Sequence, residues 1–186
     1  MLVKLTSSFA AFFFIIIFFS CSPTKHLKQD ELFLKKNKIK VNTRKLDSDN
    51  LNSIIKQKPN RKILGVFRYH LGIYNAFNKK GTNTFRDVGE PPVVYDSLLT
   101  KRTIKQLKLY ANNKGYFDSK VWYTSKINKN KIKITYHIDS GDPYKIKSVK
   151  YDIADTTIQQ LMLQIIFKSS LFPGKTYDVD LFESTR

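Results

Sequence analysis

Gly115-Tyr116-Phe117-Asp118-Ser119-Lys120-Val121-Trp122-Tyr123-Thr124-Ser125-Lys126-Ile127-Asn128-Lys129-Asn130-Lys131-Ile132-Lys133-Ile134-Thr135-Tyr136-His137-Ile138 carries the clearest pattern in the sequence. Ile132, Ile134, Tyr136 and Ile138 alternate with Lys131, Lys133, Thr135 and His137. That is the period of a strand with one wet face. Ahead of it, Val121, Tyr123 and Ile127 face one way along a second strand, and Asn128-Lys129-Asn130 supplies a turn. The two runs read as a β-hairpin.

Upstream, residues 100–114 form a helix candidate in which Ile104, Leu107 and Ala111 share a face, with Tyr110 beside them. Thr100 is the expected cap, and Gly115 lies just past the end, where a left-handed residue closes a helix at least cost. The segment from Lys79 to Asp96 reads as a loop, marked by Gly81, Gly89 and Pro91-Pro92. Within residues 61–78, Leu64, Phe67, Leu71 and Tyr74 fall on one helical face, although Gly65 and Gly72 weaken the helix. An amphipathic element packed on its own domain is expected there, in preference to a helix lying on a membrane. Further back, Lys38-Ile39-Lys40-Val41 suggests a short strand. Ser48 or Asp47 caps a helix carrying Leu51, Ile54 and Ile55, which Pro59 ends.

Downstream, Ser140-Gly141-Asp142-Pro143 is a turn, and Val149, Tyr151 and Ile153 mark a further strand with Ile146 out of phase. A helix is expected after Asp155, with Ile158, Leu161, Met162 and Ile165 on its face and a break at Leu171-Phe172-Pro173-Gly174. Another helical pattern runs from Asp178 to Arg186. The order is β-α-(insertion)-α-β-β and then β-α-α, which argues for a repeated small module.

The N-terminus reads differently. Lys4 is followed by the apolar run Phe9 to Phe19, the layout of a secretory signal, and the run is shorter than the ~20 residues a bilayer span requires. Ser20-Cys21 closes it, and polarity begins at once with Ser22-Pro23-Thr24-Lys25. Cys21 is the chain's single cysteine, so it makes no internal disulfide. A small residue and a cysteine after an apolar core resemble a bacterial lipobox, with Phe18 where leucine is usual. The expectation is cleavage before Cys21 and a lipid on its thiol, which anchors the chain to a membrane.

The formal charge is +18 over 186 residues. Such a balance raises nucleic acid as a partner. However, the lysines are spread through the chain and alternate with apolar residues, so a solvated basic face is expected and no nucleic acid. His26, His70 and His137 lie far apart without ligand-like spacing, which argues against a metal. Phosphate-loop, nucleophile-elbow and paired-carboxylate motifs are lacking. The sequence therefore points to no enzyme, no cofactor beyond the covalent lipid, and no small-molecule substrate.

Helix, Gly115-Tyr116-Phe117, hairpin and then Ser140-Gly141-Asp142-Pro143-Tyr144-Lys145-Ile146 resemble the POTRA domain, which precedes the barrel of BamA- and TamA-type outer-membrane assembly proteins. Gln57-Lys58-Pro59-Asn60, Ile63-Leu64-Gly65, Leu71 with Tyr74-Asn75, and Gly89-Glu90-Pro91-Pro92 resemble the lipoprotein branch, the translocation and assembly module lipoprotein. The resemblance implies an α+β fold of tandem βααββ modules, each a three-stranded mixed sheet covered by two helices. The expected domains are a signal at 1–20, a tether at 21–32, a module at 33–140 with an insertion at about 58–96, and the start of a second module at 141–186. The family continues into a C-terminal β-barrel, and the pattern that stops at Arg186 is expected to belong to a fragment. Acidic residues do not follow Cys21 closely, since the nearest are Asp30 and Glu31, which favours the periplasmic leaflet of the outer membrane.

The implied role is reception of outer-membrane client proteins, or of assembly-machinery subunits, by strand addition. In POTRA domains the second strand commonly offers the edge. That maps to Ser119–Ile127 and, most specifically, to Val121, Trp122 and Tyr123. Gly115, Tyr116 and Phe117 are read as structural, Gly115 for its backbone and the two aromatics for packing. The alternative is a lipid-anchored envelope scaffold that docks other proteins through the insertion, with Arg61, Arg68 and Tyr69 exposed.

Overall fold

The computed structural model describes residues 24, 27–65, 67–77, 89–150, 152–155, 158, 160 and 171–185. Cys21 and the apolar run before it lie outside the described residues, as do Tyr151, Leu161, Met162 and Ile165. The elements are β1 (Phe33–Val41), α1 (Ser48–Ile54), α2 (Tyr69–Phe77), α3 (Ser97–Asn113), β2 (Lys120–Asn128), β3 (Lys131–Asp139) and α4 (Val179–Thr185). The strands form one sheet in the order β1-β3-β2. The N–H of Phe33 donates to Asn130 O at 2.8 Å and that of Asn42 to Ile138 O at 3.3 Å, so β1 runs parallel to β3. The hairpin makes β2 antiparallel to it. The fold is thus α+β on a mixed three-stranded sheet.

By internal contacts the chain divides into two units, one of Met1–Lys38, Gln57–Leu98 and Thr124–Thr135, the other of Ile39–Lys56, Leu99–Tyr123 and Tyr136–Arg186. In the second unit, Leu51 of α1, Leu107 and Ala111 of α3, and Tyr136 and Ile138 of β3 are buried. Asp47 caps α1, accepting from the N–H groups of Asp49 and Asn50. The side chain of Thr103 in α3 accepts from Lys56 N at 3.2 Å and donates to Leu99 O at 2.8 Å. Asn42 ties the ends of β1 and β3, donating to Asp139 Oδ1 at 2.7 Å while its Oδ1 accepts from Ser140 N and Oγ.

In the first unit the buried groups among the described residues are Phe33, Leu34, Asn60, Leu71, Asn75, Ile132 and Ile134. Much of its order comes from side chains bonded to backbone. Gln57 donates to Val94 O at 2.6 Å and accepts from Asp96 N at 3.0 Å. Asn60, 2% exposed, donates to Pro91 O at 2.7 Å and accepts from Val93 N at 3.0 Å. Glu90 accepts from Arg61 N at 3.1 Å, and its own N–H donates to His70 O. A Cβ on Gly89 would lie 2.8 Å from Tyr74 Cα, so only glycine allows the chain to pass α2 this closely.

The structure departs from the sequence reading at three places. The strand expected over Lys38–Val41 begins at Phe33. Alternation is lost at its start because Phe33 and Leu34 are both buried. Leu34 N donates to Val93 O and Tyr95 N donates to Leu32 O, so segment 93–95 covers that end. The helix expected over 61–78 is confined to Tyr69–Phe77. Ahead of it, Ile63 and Phe67 form an antiparallel bridge, and Leu64 and Gly65 take φ of 51° and 70°. Left-handed backbone at a leucine costs roughly 1–2 kcal/mol. The strand expected around Val149 is replaced, among the described residues, by a bridge of Lys145 to Thr176. Ile146 is the residue buried there, with its N–H donating to Lys175 O and its C=O accepting from Gly174 N. Its displaced phase has this cause. One smaller shift concerns a cap. Helix α3 begins at Ser97, before Thr100, with the Asp96 side chain accepting from Leu98 N at 2.7 Å. After Asp155 the expectation holds at the described residue, since the Asp155 side chain accepts from Ile158 N and Ile158 is helical.

Candidate functional site

The corner that leads into β2 is set by α3's end. Tyr116 N donates to Ala111 O and Gly115 N to Asn112 O, both at 2.9 Å, with Gly115 at φ 87°. These are the two bonds of a Schellman motif, and its usual apolar contact is served here by Ala111 and Tyr116, both buried. Gly115 has a second constraint, because a Cβ would lie 2.5 Å from Tyr177 O. Phe117 is 41% exposed and not a core residue. Its ring lies 5.3 Å from those of Tyr144 and Tyr177, and Tyr177 in turn lies 5.2 Å from Phe182. Lys114 donates to Asp178 at 3.0 Å and to Asp180 at 2.6 Å. Desolvation pulls the pKa of this ammonium down, but the hydrogen bonds to Asp180 and Asp178 outweigh it and hold the pKa above its ordinary value. Tyr144 donates to Asp118 Oδ2 at 3.1 Å, and that bond to a carboxylate raises its pKa.

Lys108 fixes the entry to the strand, its ammonium donating to Phe117 O at 2.6 Å, Ser119 O at 2.5 Å and Ser119 Oγ at 3.2 Å. From there β2 runs along β3, and Lys129-Asn130 joins them with Lys129 at φ 51°. A connection this short sets the register. A two-residue connection between strands of nine residues each makes Asn128 and Lys131 the closing hydrogen-bonded pair, and alternation then makes Trp122 and His137 another. The stacked rings of Trp122 and His137, 5.2 Å apart with planes at 7°, agree with that register. Consequently the N–H and C=O of Val121 and Tyr123 point away from β3. Sheet order places no further strand beyond β2 among the described residues. The side chains of Val121 and Tyr123 are half-buried on the face shared with Ile138 and Tyr136, while Trp122 is 45% exposed.

Val121, Trp122 and Tyr123 are therefore adjacent on an outer strand. Gly115, Tyr116 and Phe117 form the corner before it. The Trp122–His137 pair was missed in the sequence, although counting outward from Lys129-Asn130 finds it. In the sequence Gln57 and Asn60 stand out only within the family pattern, whereas in the fold their side chains hold residues 91–96. Among the described residues no group of His, Cys, Asp and Glu is arranged to hold a metal ion, and no helix is long and apolar enough to cross a membrane.

Residues 35–141 match the family model for POTRA, described as a surface antigen variable number repeat. No curated protein matches the chain.

Proposed function

This chain belongs to the POTRA family, whose model covers more than half of it, and from that premise we propose that β2 is the strand at which other proteins are bound. POTRA domains are protein-interaction modules of outer-membrane assembly on the periplasmic side, without catalytic activity of their own. The finer reading is strand addition. An extended segment of an outer-membrane client, or of an assembly subunit, pairs with the outward N–H and C=O groups of Val121 and Tyr123. Backbone pairing is largely indifferent to sequence, which suits a receptor for many clients. The observation that carries this reading is the register, which turns both residues' backbone groups away from β3. Trp122 gives the strand an exposed ring for a neighbouring side chain to pack on. In the same proposal Cys21 carries the lipid that tethers the chain to the outer membrane, as in the lipoprotein branch of BamA/TamA-type proteins, and residues 141–186 begin a second module.

The test uses proline, which an edge strand accepts where its N–H faces outward. Tyr123→Pro removes an outward donor and leaves the bonds to β3 in place, and Tyr123→Ala controls for the lost ring. Binding of unfolded barrel peptides is expected to fall about tenfold in the proline variant relative to the alanine one, the worth of one hydrogen bond. Equal binding by the two folded variants would remove β2 as the site. Failure of any unfolded barrel peptide to bind the wild-type chain would favour the scaffold alternative.

A further inference from the structure

The insertion carries an exposed feature that client binding at β2 does not use. Ile63 N donates to Phe67 O at 2.7 Å and Phe67 N to Ile63 O at 3.1 Å, so the chain reverses between them. Leu64, in the left-handed region at this reversal, is 87% exposed. Ile63, Phe67 and Tyr69 are 45%, 52% and 59% exposed. The fold thus holds a strained leucine at the most exposed point of an apolar projection, where burial within the chain returns nothing for the strain.

The described surroundings are mostly cationic. Arg61, Lys62, Lys35 and Lys36 are all exposed, and residues 57–77 include no Asp or Glu. Arg68 lies over the Phe33 ring at 5.2 Å and donates to Lys35 O at 2.6 Å. Lys62 is held below its ordinary pKa by desolvation first and then by Arg68, Lys36 and Lys35, so these cations feel one another. Among the described residues, the Glu90 carboxylate reaches this turn, accepting from Arg61 N.

We propose that the turn closed by Ile63 and Phe67 is a membrane-contacting tip, with Leu64, Ile63 and Phe67 entering the interface of a bilayer whose anionic headgroups are met by Arg61, Lys62, Lys35 and Lys36. Apolar residues in a ring of lysine and arginine are the composition of interfacial elements, because the long cationic side chains reach headgroup phosphates while their stems lie along the apolar part. A protein partner would have to cover the same cations with carboxylates and desolvate both, which a fluid layer of headgroups does not require.

The proposal is tested in the full chain reconstituted in vesicles. Leu64→Trp in a Trp122→Phe background gives a single indole at the tip, and Lys129→Trp in the same background gives a reference position. In phosphatidylethanolamine–phosphatidylglycerol vesicles with brominated acyl chains, the indole at position 64 is expected to shift to the blue and lose about half its emission or more. Replacing phosphatidylglycerol by phosphatidylcholine, or adding Arg61→Glu with Lys62→Glu, should abolish most of that quenching. Quenching at position 64 no greater than at position 129 overturns the proposal, and so does quenching that ignores lipid charge. A blue shift without bromine quenching also overturns it, because a protein surface then covers the tip.

Discussion

The start of β1 and the strand β2 both lie at an outer margin of the sheet, yet they treat their outward backbone groups in opposite ways. At β1, Leu34 N and Leu32 O are taken up by Val93 and Tyr95. Segment 93–95 is itself held by the side chains of Gln57 and Asn60. Gln57, Asn60 and residues 91–96 thus serve to close one margin. At β2 no described strand lies beyond, and the outward protection consists of charge, Lys120 and Lys126 being exposed. Lysines discourage indiscriminate pairing without filling the hydrogen bonds. The difference teaches that an open margin is not the inevitable state of a three-stranded sheet in this chain, since the other margin is covered by dedicated contacts.

The largest effect is expected where the open strand is hung from its corner. Gly115→Ala combines left-handed backbone with displacement of Tyr177, and should lower the unfolding free energy by about 3 kcal/mol, read from a denaturant midpoint. A loss below about 0.5 kcal/mol would mean the corner relaxes freely. Next comes the closed margin. Asn60→Ala leaves Pro91 O and Val93 N without their partner and should cost about 2 kcal/mol, while the affinity of the folded protein for client peptide stays the same. If client binding rose in this variant, the start of β1 would be a second receptor strand held shut by the insertion. The smallest effect is at Lys114. Its raised pKa means that the pairs with Asp178 and Asp180 contribute fully below the unfolded value of about 10.4 and fade as pH rises through the folded value. Lys114→Met should cost under about 1 kcal/mol at pH 7, and the difference from wild type should vanish in strongly alkaline buffer. A difference that persists there would assign the loss to packing of the lysine stem.

The hairpin, helix α3 and the Gly115 cap were legible because local pattern and tertiary role agree. Ile132 to Ile138 alternate on a strand with one wet face, and Gly115 lies where α3 needs a left-handed residue. The start of β1 was illegible because Leu34 is buried by a segment sixty positions away along the chain, which breaks the period of two. Residues 61–68 misled for a different reason. The spacing of Leu64, Phe67 and Leu71 imitates a helical face, but Leu64 is turned outward by its backbone, and only Leu71 of the three is buried. The edge at β2 follows from the family resemblance and from no local pattern. Which of its amides face outward follows from the length of the Lys129-Asn130 connection, a detail present in the sequence and unused. The roles of Gln57 and Asn60 depend on partners more than thirty residues away, and no local pattern carries them.

The most direct test of the account is amide hydrogen exchange at single residues in the full chain, with and without a saturating unfolded barrel peptide. The account predicts that the amides of Val121 and Tyr123 exchange fast alone and become protected by about tenfold or more on binding, while Trp122 is protected in both states and Leu34 does not change. Unchanged exchange at Val121 and Tyr123 with the peptide bound, or new protection appearing at Leu34 instead, would contradict it.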